Sequence, residues 1–180
     1  MNFCATLHAH AAVQPQRPAL LCGNRALSYL ELDESSTALA QWFLAQGLQP
    51  GDRVALHWSN SIEVVQLFFA VFKAGLVAVT VNTRLKPAEI CYILEHSQAR
   101  ICFSEPTLAG LAEQSGAACS IRSALPPLPP TQARPAASPV LDPDKPALIL
   151  YTSGTTARPK AVTHSHRSLF STAAVLPKKK

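Results

Sequence analysis

Clustered cysteines, glycine fingerprints and clean apolar spans are all missing from this 180-residue chain, and each absence removes a class of protein. The five cysteines (Cys4, Cys22, Cys91, Cys102 and Cys119) are scattered, odd in number and never spaced C-x-x-C. That argues against a disulfide framework or a zinc site, and for buried free thiols in a cytosolic, reducing compartment. The six histidines show no metal-ligand spacing. His164 and His166 would share a face on a strand, but no third ligand accompanies them, so no metal site is assigned. There is no G-x-G-x-x-G dinucleotide fingerprint.

Long hydrophobic segments are absent too. The apolar stretch at 64–81 contains Gln66, Lys73 and Gly75, and reads as a core helix followed by a core strand rather than a membrane span. The N-terminus has no basic region leading into a long apolar one, so no secretory signal is expected and a cytoplasmic location is. Charged residues make up only 15% of the chain. Of the net charge of +5, three units come from Lys178, Lys179 and Lys180, which read as a solvated tail. No basic stripe is interleaved with aromatics, so nucleic acid is not an expected partner. With 48% hydrophobic residues, a packed core is expected, in one domain or two small ones.

The densest cluster of chemistry is Y-T-S-G-T-T-A-R-P-K at residues 151–160. Thr152, Ser153, Thr155 and Thr156 surround Gly154, and Arg158 and Lys160 follow. The apolar run at 147–150 leads in as a buried strand. Hydroxyls and free backbone N–H groups on a turn after a strand offer donors to an anion, glycine lets the backbone approach, and Lys160 adds a point charge. This is a loop suited to polyphosphate. It is not the Walker loop: position 159 is proline where that motif needs glycine, and Lys160 is followed by Ala161 rather than Ser or Thr. A ligand-free Ser/Thr/Gly turn between two strands is the plain alternative.

Elsewhere the pattern alternates strands with helices. Ser28-x-x-Glu31 is a capping box opening a helix with Leu32, Leu39, Phe43 and Leu44 at helical spacing, stopped by Gly47. A turn at Pro50-Gly51 precedes a strand over 53–57. A helix over 62–74 ends at Gly75, a strand follows over 76–81, Pro87 opens a helix to about Glu95, and a strand covers 100–103. Such alternation predicts an α/β fold, a mixed or parallel sheet layered with helices. Eight prolines between Pro126 and Pro146 mark an extended linker or surface loop. The expected division is therefore 1–114, an α/β part; 115–146, a Pro-rich linker or loop; 147–176, a strand, the phosphate loop and a helix; and 177–180, a basic tail.

The loop resembles that of the adenylate-forming superfamily, Y-T-S-G-T-T-G-x-P-K-G-V followed shortly by T/S-H. Tyr151 to Thr156, Pro159, Lys160, Val162, Ser165 and His166 match it. The blocks G-D-R-V-A with N-S-x-E at 51–63, K-A-G at 73–75 and N-x-R-L at 82–85 also resemble that family, and the likeness runs over residues 3–176. Ala157 and Ala161 stand where the family has glycine, and Thr80 where it often has proline. An alanine forced to positive φ would cost about 1–2 kcal/mol.

The resemblance implies a partial N-terminal domain of an acyl-CoA synthetase. Full-length relatives join a carboxylic or fatty acid to coenzyme A through an acyl-adenylate, using ATP and Mg2+. It implies that Thr152, Ser153, Gly154, Thr155, Thr156 and Lys160 hold the phosphates. It also implies that His166 lies near the acyl-adenylate site, while the residues alone read it equally as a helix start. Coenzyme A ligases are favoured over peptide-synthetase adenylation domains. The groups for adenine, ribose and magnesium come later in complete members, so the expectation is a truncated chain that does not turn over alone. The alternative is a non-catalytic remnant serving as an interaction or nucleotide-binding module.

Overall fold

The computed structural model describes residues 3–127, 142–152 and 159–175. Helix α1 (Phe3–Val13) leads into an antiparallel hairpin, β1 (Pro18–Cys22) and β2 (Arg25–Ser28). Then come α2 (Tyr29–Ala45), β3 (Arg53–His57), α3 (Ile62–Lys73), β4 (Val77–Thr80), α4 (Pro87–His96), β5 (Ala99–Ser104), α5 (Ala109–Gln114) and β6 (Ser120–Arg122). The last described elements are β7 (Pro146–Thr152), β8 (Lys160–Ser165) and α6 (His166–Val175).

Six strands form one sheet in the order β6-β5-β3-β4-β7-β8. All neighbours are parallel except β8, which returns antiparallel beside β7. Side chains alternate across a strand, so each strand feeds two cores. Val54, Leu56, Ala78, Ile101, Phe103 and Ala147 pack with α2 and α3. Ala55, Val79, Val81 and Cys102 pack with Ile90, Ile93 and Leu94 of α4. The mixed sheet with helices on both faces is the architecture that the alternating pattern predicts.

Local signals act where the sequence places them. The Ser28 Oγ accepts from the Glu31 N–H at 3.2 Å, and Glu31 Oε2 accepts from the Ser28 N–H at 2.8 Å, completing the capping box. Ser61 caps α3 with a single bond, its Oγ accepting from the Val64 N–H. Past the ends of α2 and α3, Gly47 (φ 79°) and Gly75 (φ 69°) take left-handed conformations that a side chain would strain. Leu44 departs from its expected place. It is 48% exposed, while Leu32, Leu39 and Phe43 are buried. One residue beyond Phe43, it has already turned about 100° away from the core. The Pro-rich region also contributes more than a connection, since β6 adds a parallel edge strand to β5.

Helices α1, α2 and α3 meet at a buried charge. Lys73 Nζ donates to Asp33 Oδ1 at 2.6 Å, to the Asp33 carbonyl at 2.6 Å and to Thr37 Oγ1 at 2.8 Å. Asp33 Oδ2 lies 3.0 Å from His8 Nδ1 of α1.

Two carboxylates give the fold an acid limit. The Ser28 N–H, then its hydroxyl, hold Glu31 below its ordinary 4.5. The Ser59 N–H does the same for Glu105. A depressed folded pKa contributes stability that is complete above the ordinary value and lost as pH falls through the folded one. The melting midpoint should therefore fall on acidification below about pH 4.5. Glu31→Gln should lower the neutral-pH midpoint and shallow the acid slope. An acid slope identical to that of the parent chain would sink this assignment.

Candidate functional site

The loop predicted to hold phosphate lies between β7 and β8. Ser153, Gly154, Thr155, Thr156 and Ala157 fall outside the described residues; Thr152 and Lys160, on its two stems, fall inside them. They are register partners, the last pair of the β7–β8 ladder before the loop. Ala161 pairs with Tyr151 in extended backbone, so nothing there requires the glycine of the family pattern. Lys160 is exposed.

A cleft of about 480 Å³ opens beside these stems. Thr80 and Asn82 line it from the end of β4 and the following turn, Tyr151 and Thr152 from the end of β7, and Glu89 and Ile93 from α4. Pro159 closes the loop side. Because β4 and β7 are parallel, their carboxyl ends lie together, which is where open α/β sheets place ligands. The turn after β4 is fixed by Asn82 Oδ1, which accepts from the Arg84 N–H at 2.9 Å. Thr80, Asn82 and Glu89 were not singled out from sequence as site residues. For Thr80 and Asn82 the signal was the V-T-V-N-T-R-L block, whose apolar alternation ends in polar residues at the strand terminus.

Helix α4 forms one wall of the cleft. His96 Nδ1 lies 2.8 Å from the Tyr151 hydroxyl, and the Tyr92 hydroxyl donates to the Pro159 carbonyl at 3.5 Å. Burial, then the neighbouring Tyr92, raise the Tyr151 pKa, so its hydroxyl keeps its proton.

His166 is not brought to this cleft. It is the first residue of α6, its ring packs edge-on against Phe72 of α3 at 5.4 Å, and it is 2% exposed. Its N–H donates to the Lys145 carbonyl beside the start of β7. Six residues of extended chain separate it from Lys160, about 20 Å. Phe72 also belongs to the core on the α2–α3 side, whereas Ile93 and Tyr151 belong to the α4 side. Burial lowers the His166 pKa, favouring the neutral ring. His164 lies on β8 and His166 on α6, so the two do not share a strand face.

At the carboxyl end of the parallel strands, the end that carries the cleft, buried His57 places Nδ1 2.9 Å from Ser104 Oγ, and its Nε2 has no hydrogen-bond partner among the described residues. Among the described residues no group of three His, Cys, Asp or Glu could hold a metal ion. All five cysteines are free, but only Cys4 and Cys102 are buried as expected; Cys91 and Cys119 are half-buried, and Cys22, on the β1–β2 hairpin, is exposed. No helix among the described residues is long and apolar enough to cross a membrane.

A model of the family described as AMP-binding enzyme matches residues 7–178. A fatty acid–acyl-carrier-protein ligase of Streptomyces coeruleorubidus is 37% identical over 173 residues, covering 92% of this chain and 33% of that protein. A 3-hydroxybenzoate–CoA/4-hydroxybenzoate–CoA ligase of Thauera aromatica is 32% identical over 169 residues, covering 86% of this chain and 32% of that protein. The crystal structure of a benzoate CoA ligase from Burkholderia xenovorans superposes with a TM-score of 0.84 at 28% identity, covering 98% of this chain and 37% of that one. The chain thus spans about a third of the length of the curated relatives it matches.

Proposed function

Since the chain belongs to the AMP-binding enzyme family, we propose that it carries the ATP-phosphate-holding part of an AMP-forming acid–thiol ligase. The observation that carries this is the Thr152–Lys160 pair at the open end of the β7–β8 hairpin, beside a cleft at the carboxyl ends of parallel strands. Paired directly across the ladder, a threonine and an exposed lysine bring a hydroxyl and an ammonium to the mouth of the loop, donors suited to phosphate oxygens. The sequence adds Ser153, Gly154, Thr155 and Thr156 to the same set.

In the proposed reaction a carboxylate oxygen attacks the α-phosphorus of ATP. The bond to the bridging oxygen breaks, pyrophosphate leaves, and an acyl-adenylate forms. A thiol then attacks the acyl carbonyl, AMP leaves, and the thiol proton passes to solvent. Relatives named for fatty acid, hydroxybenzoate and benzoate point to a carboxylic acid substrate, and those named as CoA ligases point to coenzyme A as the thiol. This chain's part is positional: Lys160 and the hydroxyls hold the leaving phosphates and offset the charge that develops on them. Mg2+ bound to the phosphates would supply further charge neutralisation. With no metal-ligand cluster, and no carboxylate but Glu89 lining the cleft, among the described residues, the donor set fits phosphate better than a bare cation.

Mg-ATP should raise the melting midpoint of the purified chain. At a hundredfold excess over Kd the gain is about 2.7 kcal/mol, or roughly 5–10 °C at this size. Lys160→Ala should remove most of that shift while leaving the ligand-free midpoint unchanged. A cooperative melt that Mg-ATP fails to move would overturn the reading.

A further inference from the structure

Around the last ladder pair, Thr152–Lys160, both stems of the loop are met by one face of α4, at Tyr151 one rung inside it and at Pro159 just beyond it. Tyr92 and His96, four residues apart, stand one above the other on that face. Their ring centroids are 5.3 Å apart at 32°, and the His96 ring meets the Tyr151 ring edge-on at 5.8 Å. His96 Nδ1 reaches the Tyr151 hydroxyl on the leading stem, and the Tyr92 hydroxyl reaches the Pro159 carbonyl on the returning stem. Proline has no N–H, so residue 159 cannot donate to the ladder and offers only its carbonyl. The helix itself is fixed from below, with Ile90, Ile93 and Leu94 at 0–2% exposure.

We propose that Tyr92 and His96 are positioning residues for phosphate binding, a clasp by which α4 sets where the loop leaves β7 and rejoins β8. The inference rests on the phosphate-holding role proposed above, and adds residues that neither the loop sequence nor its family pattern contains. The physical need is pre-organisation. Donors that must meet phosphate oxygens lose much of their effect when displaced by about 1 Å, and sites on rigid elements are held more accurately than sites on loops. A two-stranded ladder fixes the stems in the plane of the sheet. Contacts from a helix on one face fix them against rotation out of it.

The test separates a clasp from ordinary packing. Tyr92→Phe and Tyr151→Phe keep the rings and remove only hydroxyls. His96 is exposed, so His96→Ala leaves no core cavity. The dissociation constant for Mg-ATP, titrated by calorimetry on the full chain, should rise about three- to tenfold in each variant, with the melting midpoint within about 2 °C of the parent. His96→Asn, which keeps a polar atom near the Nδ1 position, should recover part of the loss. Tyr151→Phe combined with His96→Ala should bind no worse than the weaker single variant, because both remove one contact. Backbone amide exchange at Ala161 and Val162 should quicken in the same variants without ligand.

Unchanged affinity and unchanged exchange would overturn the clasp while leaving the phosphate role intact. If the parent chain binds no Mg-ATP, the phosphate role fails. The positioning role falls with it, and faster exchange in Tyr92→Phe and His96→Ala would then show only that α4 holds the stems.

Discussion

Replacing Lys73 with alanine is expected to cost about 3–5 kcal/mol of stability, the range for breaking one side of a buried ion pair. Lys73 is 5% exposed and Asp33 1%. Burial pulls the Lys73 pKa below its ordinary 10.5, while its hydrogen bond to Asp33 and that carboxylate's charge pull it back. Without the ammonium, the buried Asp33 carboxylate is left with the His8 ring nitrogen at 3.0 Å. Natural domains have about 5–15 kcal/mol in hand, so the variant should sit near its unfolding threshold at room temperature. Urea unfolding followed by circular dichroism reads the loss directly. The paired replacement, Asp33→Leu with Lys73→Met, removes both charges and should cost less than Lys73→Ala alone. If the double variant is the less stable of the two, the cluster is not behaving as an ion pair.

Phe103→Ala should cost a similar amount, about 3–5 kcal/mol. Phe103 is fully buried on β5 and meets Phe43 edge-on at 5.8 Å and Trp42 at 6.0 Å. Its removal opens a void between the sheet and α2 that neighbours fixed on two different elements cannot close. Phe103→Leu fills most of that volume and should lose less than half as much. Equal losses from the two variants would show that ring geometry rather than volume is what Phe103 supplies. Because Arg122 stacks over Trp42 at 5.9 Å, fluorescence of that indole should report the alanine variant before global unfolding.

Much of this fold is legible in the sequence wherever a local signal suffices. Ser28 and Glu31 sit at the right spacing for a capping box, and the structure closes both bonds. The strand at 53–57 and the helices opening at Ile62 and Pro87 begin where apolar period and terminators set them. Residues whose partners are distant in sequence were less legible. Lys73 read as an interruption of an apolar helix until Asp33, 40 positions earlier, was placed against it. Arg122 and the β6 strand lay inside a stretch that reads as a proline-rich connection. His166 matches a motif position, yet antiparallel pairing of β8 carries it to the far end of β7 and against Phe72.

Sequence alone determined the family, the alternation of helices and strands from Ser28 to Phe103, and the candidate phosphate loop. All three rest on short-range patterns: hydrophobic period, capping chemistry and the spacing of hydroxyls, glycine and lysine around one turn. Tertiary structure decided what surrounds that turn. Strand order in the sheet puts β4 beside β7, so Thr80 and Asn82 join Thr152 at one cleft although about 70 residues separate them. It also lays α4 across both stems of the loop, bringing Tyr92 and His96 to Pro159 and Tyr151. Such neighbours follow from which strands pair and which face each helix covers. Those choices are set by the burial of the whole core and leave no mark at fixed spacing in the chain.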